Sequence, residues 1–196
     1  MTKQEAKATA LRWLDEATSG GLALDAQTIA DLEDRMDYLL DGAVAAVCGR
    51  FPHYEVYCRQ PSAEAGYVQV KLPENLQALV EVRLRGTDGR SLPFSDYQRI
   101  GRGEYVVPAA PGGPLYFTYI RLPLLPGPGA DGGIELDVET EAASLVPLRL
   151  AADALVGVDE TAALASFLLA RYNDMAAALY RRPEPDRAVV ECVYDY

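Results

Sequence analysis

The sequence predicts an α+β fold: a helical bundle formed by N- and C-terminal helix pairs, with an inserted small antiparallel β region. Three observations predict it. Apolar residues recur at helical spacing over residues 1–50 and again over 140–182. Between them, over 54–138, Pro and Gly become frequent and short β-forming runs replace the helical period. The third is size: 196 residues, 49% hydrophobic and 24% charged, suit one domain that needs neither disulfide nor metal to bury a core.

Residues 1–50 read as a helical hairpin. Thr2 and Glu5 make a capping box, each side chain able to satisfy the other's backbone N–H. Ala6, Ala10, Leu14 and Ala17 follow at helical spacing, widened by Leu11 and Trp13. Ser19-Gly20-Gly21 is the expected stop, and Asp25 the expected cap of the next helix. That helix has an apolar stripe of Ile29, Leu32, Met36, Leu39, Ala43 and Val47. Its opposite face carries Asp31, Asp34, Asp37 and Asp41, and reads as solvated.

In the inserted region the expected strands are Tyr67 to Leu72, Leu79 to Arg85, Glu104 to Val107, Leu115 to Leu122 and Ile134 to Val138. The stretch from Leu125 to Gly133 holds two prolines and four glycines and is expected as an exposed, mobile loop. Residues 140–182 complete the bundle. Thr140 is the expected cap of a helix with Pro147 near its start, where proline is tolerated, ending at Gly157. Asp159 caps the next helix, whose apolar face is Ala163, Phe167, Leu168, Tyr172 and Ala176. Pro183 and Pro185 end it, and residues 183–196 form an arm or strand.

Composition excludes more than it selects. Eighteen basic residues against twenty-nine acidic give a net charge of −11, which repels nucleic-acid phosphate and anionic membranes. The opening residues lack a signal-peptide core, and no apolar run spans a bilayer, so synthesis in the cytoplasm is expected. Cys48, His53 and Cys58 are spaced by five, with Cys192 a conceivable fourth ligand, but the close cysteine pairs of structural zinc sites are absent. No metal and no cofactor is expected. His53 is the one histidine, and no nucleophile elbow accompanies it, so no catalytic residue is assigned.

Twelve tyrosines outnumber four phenylalanines and one tryptophan. They pair up at Tyr54 and Tyr57, Tyr116 and Tyr119, and Tyr194 and Tyr196. They suit either cross-strand packing or a surface that stays wet until a partner arrives. Val189, Val190, Val193, Tyr194 and Tyr196 make the terminal segment apolar and β-forming, so they are the candidate assembly contacts.

Three stretches resemble the head–tail connector (adaptor) proteins of tailed bacteriophages. They are the opening helix from Ala6 to Gly21, the aromatic strand Tyr116-Phe117-Thr118-Tyr119-Ile120-Arg121-Leu122-Pro123, and the paired helices from Glu141 to Leu155 and Asp159 to Tyr172. The resemblance implies a subunit that assembles with copies of itself into a ring in the particle neck. Its partners would be the portal protein on one side and a downstream tail or stopper protein on the other. DNA would pass through without sequence-specific binding, and acidic walls would let it slide. The family's members carry no catalytic residues. A cellular α+β protein-binding module and a cell-wall hydrolase remain as alternative readings.

Overall fold

The structure is a computed structural model that describes residues 1–18, 26–62, 66–156 and 161–180. It corrects the predicted architecture. Four helices accompany seven strands in two antiparallel sheets. The strands are not a small region inserted in a helical bundle, because the middle of the chain has a core of its own. The described residues divide into two compact units. The helical unit comprises Met1–Ala43, Pro126–Glu135 and the described residues from Thr140 onward. The β unit comprises Val44–Leu125 and Leu136–Glu139.

In the helical unit, α1 (Lys3–Thr18) begins with the expected capping box. Thr2 N–H donates to Glu5 Oε2 at 2.9 Å, and Glu5 N–H donates to Thr2 Oγ1 at 3.2 Å. Ala6, Ala10 and Leu14 are buried at that spacing. In α2 (Ala26–Arg50) the buried line is Met36, Leu40, Ala43, Val44, Val47 and Cys48: the expected Met36, Ala43 and Val47 lie in it, whereas Leu40 is buried in place of its neighbour Leu39. Thr140 does not cap α3 (Leu145–Ala154); Ser144 occupies the cap position, and Pro147 falls in the first turn, where its missing N–H costs nothing. Helix α4 (Ala162–Tyr180) buries Leu168, Tyr172 and Ala176, but Phe167 is 55% exposed. The broad helix packings are α1 on α3 and α3 on α4. The stop at Ser19 to Gly21, the caps Asp25 and Asp159, Gly157 and the segment 183–196 lie outside the described residues.

The loop over 126–133, expected as mobile, is held by side chains of α1 and α2. Lys3, 3% exposed, forms an ion pair with Asp37 at 2.8 Å and donates to the carbonyls of Gly127 and Ala130 at 3.3 and 3.2 Å. Asp37 accepts the Gly129 N–H at 2.7 Å, and Asp41 accepts the Gly127 N–H at 3.1 Å. Gly127 and Gly129 both sit at φ 76°, which favours glycine. In return the loop closes the start of α1: Lys3 N–H and Gln4 N–H donate to Ile134 and Gly132 carbonyls, both at 2.9 Å. Half of the aspartate face read as solvated is therefore a clamp, while Asp31 and Asp34 are exposed.

Lys3 beside Asp37 holds its carboxyl down at about 2, from an ordinary 3.8. A group lowered on folding stabilises above its unfolded pKa and loses that contribution as pH falls through its folded one. Asp37→Asn is accordingly expected to cost about 1–2 kcal/mol at pH 7, discounted for partial solvent access. It should also flatten the loss of stability between pH 4 and pH 2. Urea titrations across that range measure both effects, and an unchanged midpoint at pH 7 would refute the clamp.

In the β unit, β1 (His53–Arg59), β7 (Leu115–Arg121), β3 (Leu76–Arg85) and β4 (Ser91–Pro93) form one sheet in that order. The second sheet orders β2 (Tyr67–Lys71), β6 (Glu104–Pro108) and β5 (Gln98–Gly101). All pairings are antiparallel. The inner faces meet in a core of Val70, Leu72, Leu76, Val82, Tyr105, Val107, Leu115, Phe117 and Tyr119. Phe117 touches aromatic rings on two sides: Tyr57 at 6.3 Å and Tyr105, from the second sheet, at 6.1 Å. Gly113 lets the chain into β7 close up against β3, since a Cβ there would stand 2.1 Å from the Arg85 carbonyl oxygen.

Two strand expectations change. Ile134 to Val138 is not a strand; Glu135 makes a single bridge to Thr2. His53–Arg59 is a strand, paired over seven residues with β7.

Candidate functional site

The alternation of β1 decides what sits where. Tyr57 and Arg59 stand opposite Phe117 and Leu115 on the inner face, with His53 and Glu55 in the same row opposite Arg121 and Tyr119. Tyr54, Val56 and Cys58 occupy the outer face, opposite Ile120, Thr118 and Tyr116. The core row therefore ends in a polar cluster, which residues Leu136–Glu139 complete.

Arg121 is its centre. The guanidinium grips both oxygens of Asp137, Nη1 on Oδ2 and Nη2 on Oδ1, the latter at 2.6 Å. Its Nε meets Glu55 Oε1 at 2.9 Å. The other oxygen of Glu55 accepts the Tyr119 hydroxyl at 2.6 Å. His53, buried, has Nδ1 3.0 Å from Glu139 Oε1 and Nε2 3.1 Å from the Asp137 carbonyl oxygen. Asp137 also accepts the Leu124 N–H at 2.7 Å.

The chemistry of these groups is set by that arrangement. The Arg121 hydrogen bond holds the Asp137 carboxyl down at about 2. Burial, then the Glu55 carboxylate, push the Tyr119 phenol up to about 12. Cys48 Sγ lies 3.9 Å from His53 Nε2, the placement of a cysteine–histidine pair. Yet burial, then the Asp137 carboxylate, push the Cys48 thiol up to about 11. A nucleophilic cysteine needs the opposite shift. The cluster's cation and carboxylates face one another, which is how a fold fixes a turn of chain.

Of the four metal candidates, Cys48 and His53 come together, Cys58 lies on the opposite side of β1 from His53, and Cys192 is outside the described residues. Among the described residues no group of three His, Cys, Asp or Glu has the geometry to hold a metal. A groove of about 490 Å³ in the helical unit is lined by Lys3, Lys7, Glu33 and Asp37, but both lysines already engage Asp37. No described helix is long and apolar enough to cross a membrane. Val189, Val190, Val193, Tyr194 and Tyr196 all lie outside the described residues.

Sequence reasoning missed the cluster because its members come from β1, β7 and residues 137 and 139. The one available signal was the alternation of Ile134, Leu136 and Val138 with Glu135, Asp137 and Glu139, which places the acids on one side of an extended chain.

No family model matches the chain, and no curated protein matches it either. Among solved structures, it is similar to a chain in the neck of a native GTA particle computed with C12 symmetry, at 16% identity, over 88% of this chain and 91% of that one, with a TM-score of 0.27. It is also similar to a chain in the neck of an empty GTA particle computed with C6 symmetry, at 16% identity, over 83% and 87%, with a TM-score of 0.26. TM-scores of this size carry no argument for a shared fold.

Proposed function

We propose that the chain is a non-enzymatic structural subunit of a phage or prophage head–tail connector. Synthesised in a bacterial host's cytoplasm, it forms a ring in the particle neck, between portal and a downstream tail or stopper protein, through which DNA passes. The observation that carries the assembly part of this reading is the exposure of large apolar side chains on both units. Phe167 on α4, and Tyr54 and Val56 on the outer face of the sheet, stand 47–55% exposed. Faces of that kind mark interaction sites. The sequence resemblance supplies the neck, and the charge of −11 suits a channel wall that must not grip DNA.

The terminal segment belongs to this proposal. Val189, Val190, Val193, Tyr194 and Tyr196 would join a neighbouring subunit or the portal by strand addition. Native mass spectrometry of the chain alone and with portal tests the whole reading: a ring and a portal complex are expected, and neither forming would overturn it. A chain lacking residues 186–196 is expected to keep its thermal midpoint and lose portal binding or ring formation. If it unfolds instead, the segment is core and the assembly role is wrong.

A further inference from the structure

Two apolar faces of this chain call for an occupant. The first is on α4, where only Arg171 and Asp174 are charged among nineteen residues. A helix apolar on every side belongs in an interior, yet only Leu168, Tyr172 and Ala176 are buried. Ala163, Phe167, Ala170, Asp174 and Ala177 line its exposed side. Arg171 lies over the Trp13 ring, 4.3 Å from its centre, so Asp174 is the charge on that side.

The second is the outer face of the four-stranded sheet. An antiparallel sheet with one wet face normally presents polar residues there. This one presents Tyr54 and Val56 on β1, Thr118 and Ile120 on β7, and Ala78 on β3. Val56 is 47% exposed. The same face of β3 continues through Glu81 and Arg83, which pair with each other at 3.4 Å, to Arg85, which is exposed.

Charge selects the occupant. Among the described residues the helical unit holds thirteen acidic and six basic residues, and the β unit eight acidic and nine basic, so the negative charge lies with the helical unit. Pairing α4 with α4 would set two strongly negative units against each other. Pairing α4 with the sheet sets a negative unit against a near-neutral one whose rim carries the exposed Arg85.

We infer that a second copy of this chain is the occupant, with the exposed face of α4 on one copy docking on the outer face of the β1–β7–β3 sheet of the next, and Asp174 facing Arg85 at the rim. One contact, repeated, covers both faces. It is heterologous, as ring assembly demands, and it rests on the ring-forming reading above.

Sedimentation velocity of the full chain tests it. Wild type assembles, whereas Phe167→Asp and Val56→Asp are each monomeric and keep the wild-type far-UV circular dichroism spectrum. Mixed in equal amounts, the two variants form a dimer and nothing larger, because each retains one intact face. Asp174→Arg weakens assembly about tenfold, and adding Arg85→Asp restores it. If Phe167→Asp is monomeric while Val56→Asp still assembles, the contact is α4 on α4 and the inference falls. If both variants assemble as wild type does, the faces are wrong while the connector reading stands. A wild-type chain that stays monomeric overturns the inference, and one that also ignores portal overturns the connector reading with it.

Discussion

Phe117→Ala is expected to destabilise the chain, measured as a monomer at low concentration, by about 3–5 kcal/mol, and Phe167→Ala by no more than about 0.5 kcal/mol. The two substitutions remove the same atoms. Phe117 is fully buried between the two sheets, with Tyr57 and Tyr105 against its ring. Its removal leaves a cavity that strands pinned on both sides cannot collapse to fill. Phe167 is more than half exposed, so its truncation creates no cavity. Denaturant unfolding followed by far-UV circular dichroism gives both values. Equal losses would mean that Phe167 is core, as its place on an apolar helix suggests from sequence alone.

That contrast shows what the sequence makes legible. Helix α1 was readable because its pattern is sparse: Ala6, Ala10 and Leu14 stand among charged neighbours, and Thr2 with Glu5 marks the start. Helix α4 was readable as a helix but not as a face, because apolar residues surround it. Strand β1 was not readable at all. Its outer face bears Tyr54, Val56 and Cys58, while His53, Glu55 and Arg59 share the inner row with Tyr57. A strand whose polar residues turn inward inverts the rule that identifies strands. Likewise, Asp37 and Asp41 sit on a helix face that reads as solvated, and only the loop over 126–133, distant in sequence, turns them into acceptors.

Arg121→Ala is expected to cost about 2–4 kcal/mol at neutral pH, because it removes the one cation that both Asp137 and Glu55 share. Arg121 is 16% exposed and Asp137 20%, so water replaces the lost partner poorly. The Asp137 carboxyl, held down at about 2 from 3.8, contributes stability above pH 4 and loses it as pH falls toward 2. Without Arg121 that carboxyl rises toward its ordinary value, so the variant should lose less stability across the same acid range than wild type does. Asp137→Ala alone should be costly too, since it leaves the guanidinium and the Leu124 N–H without their acceptor. Applied together, the two substitutions should cost about 1–3 kcal/mol less than the sum of their separate effects. Urea unfolding of the four proteins at pH 7 and pH 3 measures all three quantities. Additive losses, or an acid response identical to wild type, would show that the pair is not coupled. A stabilising effect of either replacement would point the other way, to a cluster strained for binding or chemistry rather than one that holds residues 136–139 to the sheet.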